Sequence, residues 1–493
     1  MTTRIIRTGA NAWREDAAEA SGVIVDAADY YYTLFWAIQG ARRSVVMSGW
    51  QFDSGVPLLR GSDVPARTEV RLLKWLNGLC EQKPDLHVSI LAWDFHLVFA
   101  HEREWMQRVL FHWMTNTRFR FRFDDCPAKG GSHHQKFVVV DGALAFLGGM
   151  DVCEARWDDR RHLAVNPLRV SRSKPAKPYH DVQAYLAGGT APLALHELFQ
   201  ERWHRSGGPP LCSPDPPSPT PALRLRGALP LGGGPVAFSR TDPRADGTSV
   251  REVERLFVDA IDAAETLIYI ETQYFSSRRI FEALARRMQA ADRSPLDVVV
   301  LVNERAEAFK EELAVGLRQA QNLERLQHVA TETGHALGLY HTLCEGADET
   351  FRATYIHSKL IVVDDRFLTV GSANLTNRSM GVDSELHVSW EGPQSRDGIR
   401  SVRISLLAEH CGLADEEAVR RLGPARGLVA RLDALTTSPG ARLQRHGPPT
   451  ATQRVVMQLV DPQALPFDPE TSDDDAAGRS EPTESVSRRA ARR

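Results

Sequence analysis

The chain has 493 residues and a formal net charge of −3 at pH 7, with 42% hydrophobic and 25% charged residues. This length allows more than one domain and a large core, and the charge balance shows no basic excess that would indicate bulk nucleic-acid binding. No run of about 18 apolar residues and no apolar leader segment occurs, so neither a spanning helix nor a secretory signal is predicted.

The first predicted elements recur 223 residues later in the chain. An amphipathic helix with apolar residues at i, i+3, i+4 and i+7 is predicted to end near Ala41, and a second one near Ala264. Each is followed by an apolar strand that ends in a polar and aromatic turn. Further strands are predicted over residues 86–93 and 296–303. Repetition of the same elements in the same order predicts an α/β domain that is duplicated within the chain.

Each half then carries one copy of the motif H-x-K-x4-D. The first copy consists of His134, Lys136 and Asp141, and the second of His357, Lys359 and Asp364. Because residues i and i+2 of a strand face the same side, each histidine is predicted to point with its lysine. The two aspartates have the opposite parity and are predicted to serve a turn or an ion pair. The apolar residues after each lysine predict a strand that is buried on both faces.

A short segment that begins with glycine follows each motif at the same distance. It supplies the candidate substrate-binding residues, which are Gly148, Gly149 and Asp151 in the first half and Gly371, Ser372 and Asn374 in the second. Small residues let a backbone approach a phosphate closely. The side chains of Asp151 and Asn374 are expected at the rim of the site.

This doubled set of side chains suits the cleavage of a phosphodiester without a metal. One neutral imidazole can attack phosphorus and form a phosphohistidine, while a protonated imidazole donates to the leaving oxygen and then activates water. Lysine and asparagine donors can neutralise the equatorial oxygens. Since each half supplies one histidine, the two halves are predicted to face each other. No cofactor and no metal are predicted, and the scattered cysteines have no zinc-like spacing.

Composition divides the chain into four segments. Residues 1–205 form the predicted first half, and residues 206–235, which are rich in proline and glycine, a linker or long surface loop. Residues 236–455 form the predicted second half with C-terminal helices, and residues 456–493 a disordered tail. A loop over residues 169–179 is expected to rim the site.

At these residues the chain resembles the phospholipase D superfamily, whose defining motif is the H-x-K pair. Over residues 133–158, 268–275 and 355–385 it is similar to eukaryotic-type, phosphatidylcholine-cleaving phospholipase D. The resemblance implies an α/β fold of two tandem, pseudo-twofold-related α-β-α sandwich domains, whose mixed sheets form one shared active site.

The resemblance also implies roles for individual residues. His134 is the expected nucleophile and His357 the expected acid, and Asp181 and Glu385 are expected to orient the two imidazoles. Gln273, in the segment before the second motif, is an expected substrate-binding residue. The mechanism that the resemblance implies needs no metal.

The predicted function is hydrolysis of a glycerophospholipid such as phosphatidylcholine to phosphatidic acid and the free head group, with transphosphatidylation to alcohols. A phosphatidyltransferase of the cardiolipin synthase type and a nuclease remain as alternatives. We expect a monomer that is cytoplasmic or peripheral on a membrane, with a phospholipid partner and no nucleic acid. Trp50 and Tyr274, at equivalent strand ends, are expected either to line a lipid path or to pack in the core.

Overall fold

The computed structural model describes residues 4–94, 116–125, 130–211, 223–244, 248–305, 315–345, 351–438, 440–459 and 468–469. The helices are α1 (Ala27–Gln39), α2 (Leu72–Gln82), α3 (Ala191–Arg205), α4 (Glu252–Asp262), α5 (Arg278–Gln289), α6 (Leu317–Thr333), α7 (Asn377–Gly381), α8 (Arg396–Cys411), α9 (Asp415–Leu422), α10 (Leu428–Thr436) and α11 (Ala451–Leu459). The strands up to the middle of the chain are β1 (Arg14–Val25), β2 (Ser44–Gly49), β3 (His87–Trp93), β4 (Phe119–Asp124), β5 (Phe137–Val140), β6 (Leu144–Gly148), β7 (Val170–Ser171), β8 (Lys174–Pro175), β9 (Tyr179–His180), β10 (Val182–Ala187) and β11 (Ala228–Pro243). The later strands are β12 (Ser249–Arg251), β13 (Leu267–Glu271), β14 (Asp297–Leu301), β15 (Ala336–Glu345), β16 (Phe351–Ala353), β17 (Tyr355–Ile356), β18 (Leu360–Val363), β19 (Phe367–Gly371), β20 (Glu385–Glu391) and β21 (Leu443–Arg445).

The predicted periodicity accounts for the helix that precedes the second motif. Helix α4 buries the residues that follow the i, i+3, i+4, i+7 pattern, namely Val253, Leu256, Phe257, Ala260 and Ile261. Its polar side chains lie on the opposite face, as expected for a helix that packs on a sheet. The prediction of an amphipathic helix here is therefore confirmed.

Seventeen of the described strands form one large mixed sheet, and β7 with β8 and β9 with β17 form two small separate sheets. Strands β2, β3 and β4 are parallel, and β2 continues through antiparallel pairings to β5, β6, β10 and β1. Strands β13, β14 and β15 are likewise parallel, and β13 continues through antiparallel pairings to β18, β19, β20 and β11. Antiparallel pairing of β1 with β11 joins the two sets. The fold is mixed α/β, as predicted, and the order of pairings is the same on both sides of this join.

The strand after each H-x-K motif is buried on both faces. In β5, Phe137 and Val139 pack in a cluster with apolar residues of α3 and α8, whereas Val138 and Val140 pack with those of α1 and α2. In β18, alternate residues divide in the same way between the α3–α8 cluster and a cluster containing α4, α5 and α6. This confirms the predicted double burial, which anchors the strands that carry the histidines.

The structure corrects part of the predicted linker. Residues 228–235 belong to β11 and pair with β1, so they are not linker; residues 212–222 lie outside the described residues. The glycines that suggested a loop occupy irregular positions of this strand, where Gly232 and Gly234 have φ of 88° and 137°. A strand with register shifts needs such conformations, which glycine adopts at little steric cost.

The structure also corrects part of the predicted tail. Helix α11 extends to Leu459, past the predicted boundary at residue 456. Asp468 is fully buried, where its carboxylate accepts hydrogen bonds from Ser276 Oγ (2.7 Å) and from the backbone N of Arg378 (2.8 Å). A carboxylate with such partners fixes its segment against the core, although the surrounding composition is polar. Residues 460–467 and 470–493 lie outside the described residues.

Candidate active site

Each H-x-K segment is paired with a segment from the other half of the chain. The backbone N of His134 donates to the carbonyl of Ser384 at 3.0 Å, and that of His357 donates to the carbonyl of His180 at 2.8 Å. The second contact extends the parallel pairing of β9 with β17. These two backbone contacts place each catalytic candidate next to the acidic residue that follows its pairing partner.

Two histidine–carboxylate pairs result, and each crosses between the halves. His134 Nδ1 lies 3.0 Å from Glu385 Oε2, and His357 Nδ1 lies 2.6 Å from Asp181 Oδ2. Both carboxylates are fully buried. A carboxylate on Nδ1 fixes the tautomer of an imidazole and stabilises its cation, so Nε2 is left for chemistry.

The two pairs differ in their electrostatics. Burial lowers the pKa of His357 well below its ordinary value, and the charges of Lys359, Arg156 and Lys136 lower it further. Burial raises the pKa of Asp181 to about 7, against the opposing effect of Lys359. His357 is therefore neutral near pH 7 until an anion binds beside it.

The Glu385 carboxylate is held ionised despite its burial. Burial alone would raise the pKa of Glu385, but the charge and hydrogen bond of His134, with hydrogen bonds from Ser372 and Ser379, lower it below its ordinary value. The side chain of His134 is also the more open of the two imidazoles, being 18% exposed against 7% for His357. This pair is thus an ion pair whenever His134 is protonated.

The two lysines occupy equivalent positions but have different further partners. Lys136 Nζ and Lys359 Nζ each donate to the carbonyl of the histidine two residues before them. Lys136 Nζ also lies 3.3 Å from Asp151 Oδ2, whereas Lys359 Nζ donates to Gln273 Oε1 at 3.1 Å. Without a carboxylate as close, burial lowers the pKa of Lys359 to about 7, and the charge of Lys136 acts in the same sense.

Asp151 differs from its expected position. It is buried rather than at the rim, and its Oδ1 accepts a hydrogen bond from the backbone N of Trp50 at 2.8 Å. Its other oxygen faces Lys136. The sequence could not show this, because the partners Trp50 and Lys136 lie in two other segments, one directly after β2 and one directly before β5. Asp151 therefore positions the lysine and the end of β2.

The glycines of the two segments are required by protein contacts. A β-carbon at Gly149 would lie 2.6 Å from Asp181 Oδ1 and 3.0 Å from the carbonyl oxygen of His357. At Gly148 and Gly371 it would lie within 2.6 Å of the carbonyl oxygens of neighbouring strands. These glycines therefore permit close packing of neighbouring strands, which at Gly149 makes room for the His357–Asp181 pair.

Three polar candidates surround these pairs. Ser372 Oγ donates to Glu385 Oε2 at 2.5 Å, so its hydroxyl supports the carboxylate. Gln273 Nε2 donates to the hydroxyl of Tyr355 at 2.8 Å, while Gln273 Oε1 accepts a hydrogen bond from Lys359 Nζ. Asn374 is buried, and its Oδ1 has no hydrogen-bond partner among the described residues. Ser372 and Gln273 therefore support other side chains of the site, whereas the side-chain oxygen of Asn374 is an acceptor without a partner in the part of the chain that the structure describes.

Asp141 and Asp364 serve the backbone. Each adopts a positive φ, 51° and 53° respectively, at the turn after its strand. The carboxylate of Asp141 accepts from the backbone N of residues 42, 43 and 44, and that of Asp364 from residues 265, 266 and 267, each at 2.8 Å. Both aspartates therefore lock the start of a parallel strand, in keeping with the role predicted from parity.

Aromatic rings and a basic loop border the His357 side of the site. The ring of Tyr179 lies 5.2 Å from that of His357, and Tyr355 lies beside both. Lys177 Nζ, from the loop predicted to rim the site, lies 3.3 Å from the centroid of the Tyr355 ring. The hydroxyl of Tyr274 is 3.4 Å from that of Tyr355.

Comparison with known proteins agrees with this geometry. A family model described as the PLD-like domain of cardiolipin synthase matches residues 257–401. Phospholipase D alpha 1 of Oryza sativa subsp. japonica is 24% identical, and that of Zea mays 26% identical, each over 78% of this chain. The chain belongs to the phospholipase D superfamily.

The extent of these similarities differs from one relative to another. The chain spans 63% of the length of each of the two plant phospholipases. A solved structure of phosphatidylserine synthase from Haemophilus influenzae Rd KW20 shares the fold at 13% identity, with a TM-score of 0.53 and coverage of 80% of this chain and 88% of that one. In the described part of the chain, no helix combines the length and apolar character needed to cross a bilayer.

Arg156 is a candidate site residue that sequence reasoning missed. Its guanidinium lies 5.2 Å from the ring centroid of Tyr179, and its charge acts on both His357 and Lys359. Its Nε is buried and has no hydrogen-bond partner in the described residues. Arg156 falls within residues 133–158, so its position inside the first motif region was the available signal.

A second group that the sequence did not predict lies behind the catalytic strands. His180 precedes Asp181, and Ser358 lies between His357 and Lys359. Glu271 Oε2 lies 3.0 Å from His180 Nε2 and accepts a hydrogen bond from Ser358 Oγ at 2.5 Å. Residues that could hold a metal ion are found in this group and not among the catalytic candidates, within the ranges described above.

Proposed function

We propose that the protein is a phospholipase D that hydrolyses glycerophospholipids such as phosphatidylcholine, through a phosphohistidine, to phosphatidic acid and the free head group. The observation that carries the proposal is the crossed arrangement, in which two imidazoles, each held on a buried carboxylate, share one site with two buried lysines. Such a site offers an attacking nitrogen, a proton donor and positive charge for a phosphoryl group. The plant relatives support a phospholipid substrate.

In the proposed mechanism, His134 attacks phosphorus and His357 protonates the leaving oxygen. The phosphodiester anion binds among Lys136, Lys359 and Arg156, and this binding offsets the positive charges that keep His357 neutral. The pKa of His357 therefore rises on substrate binding, and the acid forms where it is needed. After the head group leaves, neutral His357 takes a proton from water, which hydrolyses the phosphohistidine.

An alcohol can replace water in the second step, which gives transphosphatidylation. Asn374 is the proposed further donor to a phosphoryl oxygen, through the N–H groups of its side-chain amide. Cation binding plays no part in these steps. We further propose that the enzyme acts as a monomer, cytoplasmic or peripheral at a membrane surface, with no nucleic-acid partner.

A phosphatidyltransferase is the second candidate, since the matching family model carries the name of cardiolipin synthase. It differs only in the acceptor, which would be the hydroxyl of another lipid. The same phosphohistidine would serve both reactions, so the acceptor must be tested directly.

The decisive experiment incubates the full chain with phosphatidylcholine vesicles and ethanol, and separately with phosphatidylglycerol vesicles or single-stranded DNA. We expect phosphatidylethanol from the wild type, none from His134→Asn, and wild-type amounts from His196→Gln, a buried histidine of α3. Cardiolipin without phosphatidylethanol would favour the transferase. DNA cleavage without lipid turnover would overturn the proposal.

A further inference from the structure

A cluster of buried histidines and carboxylates lies outside the proposed catalytic set. We propose that Asp26, His162, His180 and Glu409 form a structural binding site for a divalent cation of the zinc class. One potential ligand atom from each of the four lies within 4.8 Å of the others, and all four residues are buried. Two imidazoles and two carboxylates are ligands that Zn²⁺ accepts. This proposal is independent of the proposed function.

The two imidazoles face the same two carboxylates. His162 Nε2 lies 2.9 Å from Glu409 Oε1 and 3.3 Å from Asp26 Oδ2. His180 Nδ1 lies 2.8 Å from Glu409 Oε1 and 3.2 Å from Asp26 Oδ1. For bonds of about 2.0–2.1 Å to a shared cation, these separations correspond to ligand–metal–ligand angles of roughly 85–110°. The four histidine–carboxylate separations are thus compatible with one shared cation.

The opposite nitrogen of each imidazole also contacts a carboxylate. His162 Nδ1 lies 2.9 Å from Asp158 Oδ2, and His180 Nε2 lies 3.0 Å from Glu271 Oε2. Metal-binding histidines usually have such a partner, because it accepts the second ring proton and turns the lone pair toward the metal. Each of these histidines therefore has the two-sided environment of a metal ligand.

Asp26 gives an independent indication of a missing partner. Its Oδ2 is buried in a residue that is 1% exposed, and it has no hydrogen-bond partner among the described residues. It nevertheless faces the cluster, at 3.3 Å from His162 Nε2. Since a buried carboxylate oxygen is costly when it is not satisfied, a cation at this position would remove that cost.

The charge of the cluster is balanced by one divalent cation. Four carboxylates contribute negative charge, namely Asp26, Asp158, Glu271 and Glu409. Two buried or half-buried arginines pair with them, Arg160 with Glu409 and Arg169 with Asp158. One divalent cation with neutral imidazoles makes the sum zero, and so do two ring protons without a cation.

The proposed cation would join segments that meet only in the folded chain. Asp26, His162 and His180 belong to the first half, and Glu409 comes from α8 in the second. His180 is followed directly by Asp181, the partner of His357. The cation would therefore hold β9, and with it one catalytic carboxylate, against the second half.

The test measures metal content on the full chain, expressed in zinc-supplemented medium and purified without chelators. We expect about one zinc per chain in the wild type and in His196→Gln, and less than about 0.2 in His162→Gln or His180→Gln. After removal of the metal by chelation, titration with Zn²⁺ should restore about one ion per chain.

Two results would overturn the proposal. One is folded wild-type protein with less than about 0.1 equivalent of any divalent transition metal and no uptake of Zn²⁺. The other is full zinc content in a folded His162→Gln variant, which would place the ion elsewhere. Both wild-type measurements remain decisive if the variants do not fold.

Discussion

Replacement of Glu385 by glutamine tests what the negative charge of the carboxylate beside Nδ1 of His134 contributes to catalysis. The carboxylate is fully buried and contacts His134 Nδ1 at 3.0 Å, Ser372 Oγ at 2.5 Å and Ser379 Oγ at 2.7 Å. Glutamine has nearly the same shape and keeps one oxygen that can accept from Nδ1. The variant therefore retains the tautomer of His134 but loses the counterion of the imidazolium.

The size of the effect follows from the type of contact that is lost. A hydrogen bond to a charged group contributes about 1.5–3 kcal/mol, and here the amide also faces a serine hydroxyl that donated to the carboxylate. We expect a loss of about 2–4 kcal/mol in transition-state stabilisation, which corresponds to a fall of about 30- to 1000-fold in kcat/KM. Glu385→Ala removes the acceptor as well and should fall further.

The assay is the initial rate of phosphatidylethanol formation from phosphatidylcholine vesicles, with folding checked by circular dichroism. Glu391→Gln is a matched control, because Glu391 lies in the same strand, β20, and binds the backbone N of Ile5 and Ile6. It should keep a kcat/KM within about threefold of the wild type.

The reasoning would be refuted by a folded Glu385→Gln enzyme with wild-type kcat/KM. It would also be refuted if glutamine and alanine gave equal losses together with a large loss in the control, since that pattern reports general damage to β20. A selective loss at Glu385, graded from glutamine to alanine, is the expected outcome.

Three further predictions concern the same site. Burial lowers the pKa of Lys359 to about 7, so its ammonium group loses its proton between pH 6 and pH 8. The affinity of the protein for sulfate, measured by calorimetry, should therefore fall about tenfold over this range. Lys359→Arg should abolish most of this fall, because arginine stays protonated. Gly149→Ala places a β-carbon 2.6 Å from Asp181 Oδ1 and should lower kcat/KM at least about tenfold. The control Gly55→Ala, whose added β-carbon meets nothing within 4 Å, should keep the wild-type kcat/KM. Equal kcat/KM values for the two variants would show that the contact at Gly149 does not matter. Asp364→Ala leaves three backbone N–H groups without their acceptor and should cost about 1–3 kcal/mol in urea unfolding with kcat/KM nearly unchanged; a large kinetic effect would show that this aspartate reaches the chemistry.

Local sequence patterns predicted the helix and strand elements around the two motifs correctly. Helix periodicity identified α4, and parity in the H-x-K segments separated the histidines and lysines from Asp141 and Asp364. These features depend on residues close together in the chain, so a single sequence contains them. The same local reasoning failed for residues 228–235, where a glycine-rich composition occurs in a strand whose partner lies about 200 residues earlier.

The partners of the catalytic candidates depend on contacts between distant segments. Asp181 and Glu385 were expected to orient the histidines, but only the pairing of β9 with β17 and the contact of His134 with Ser384 show which one each histidine receives. The proposed cation site has the same origin, since its four ligands come from four separate segments. No spacing rule could have joined them, which is why no metal site is predicted from the sequence.

The crossed pairs explain why neither half of the chain can hold a complete catalytic group. His134 lacks its carboxylate without β20 of the second half, and His357 lacks its carboxylate without β9 of the first. A small shift between the halves would therefore lengthen both contacts at once, the 3.0 Å contact to Glu385 and the 2.6 Å contact to Asp181. Charge-assisted hydrogen bonds weaken steeply with such changes in geometry. The proposed cation site at His180 lies where it can resist this shift, which gives its buried charges a use despite the cost of burying them.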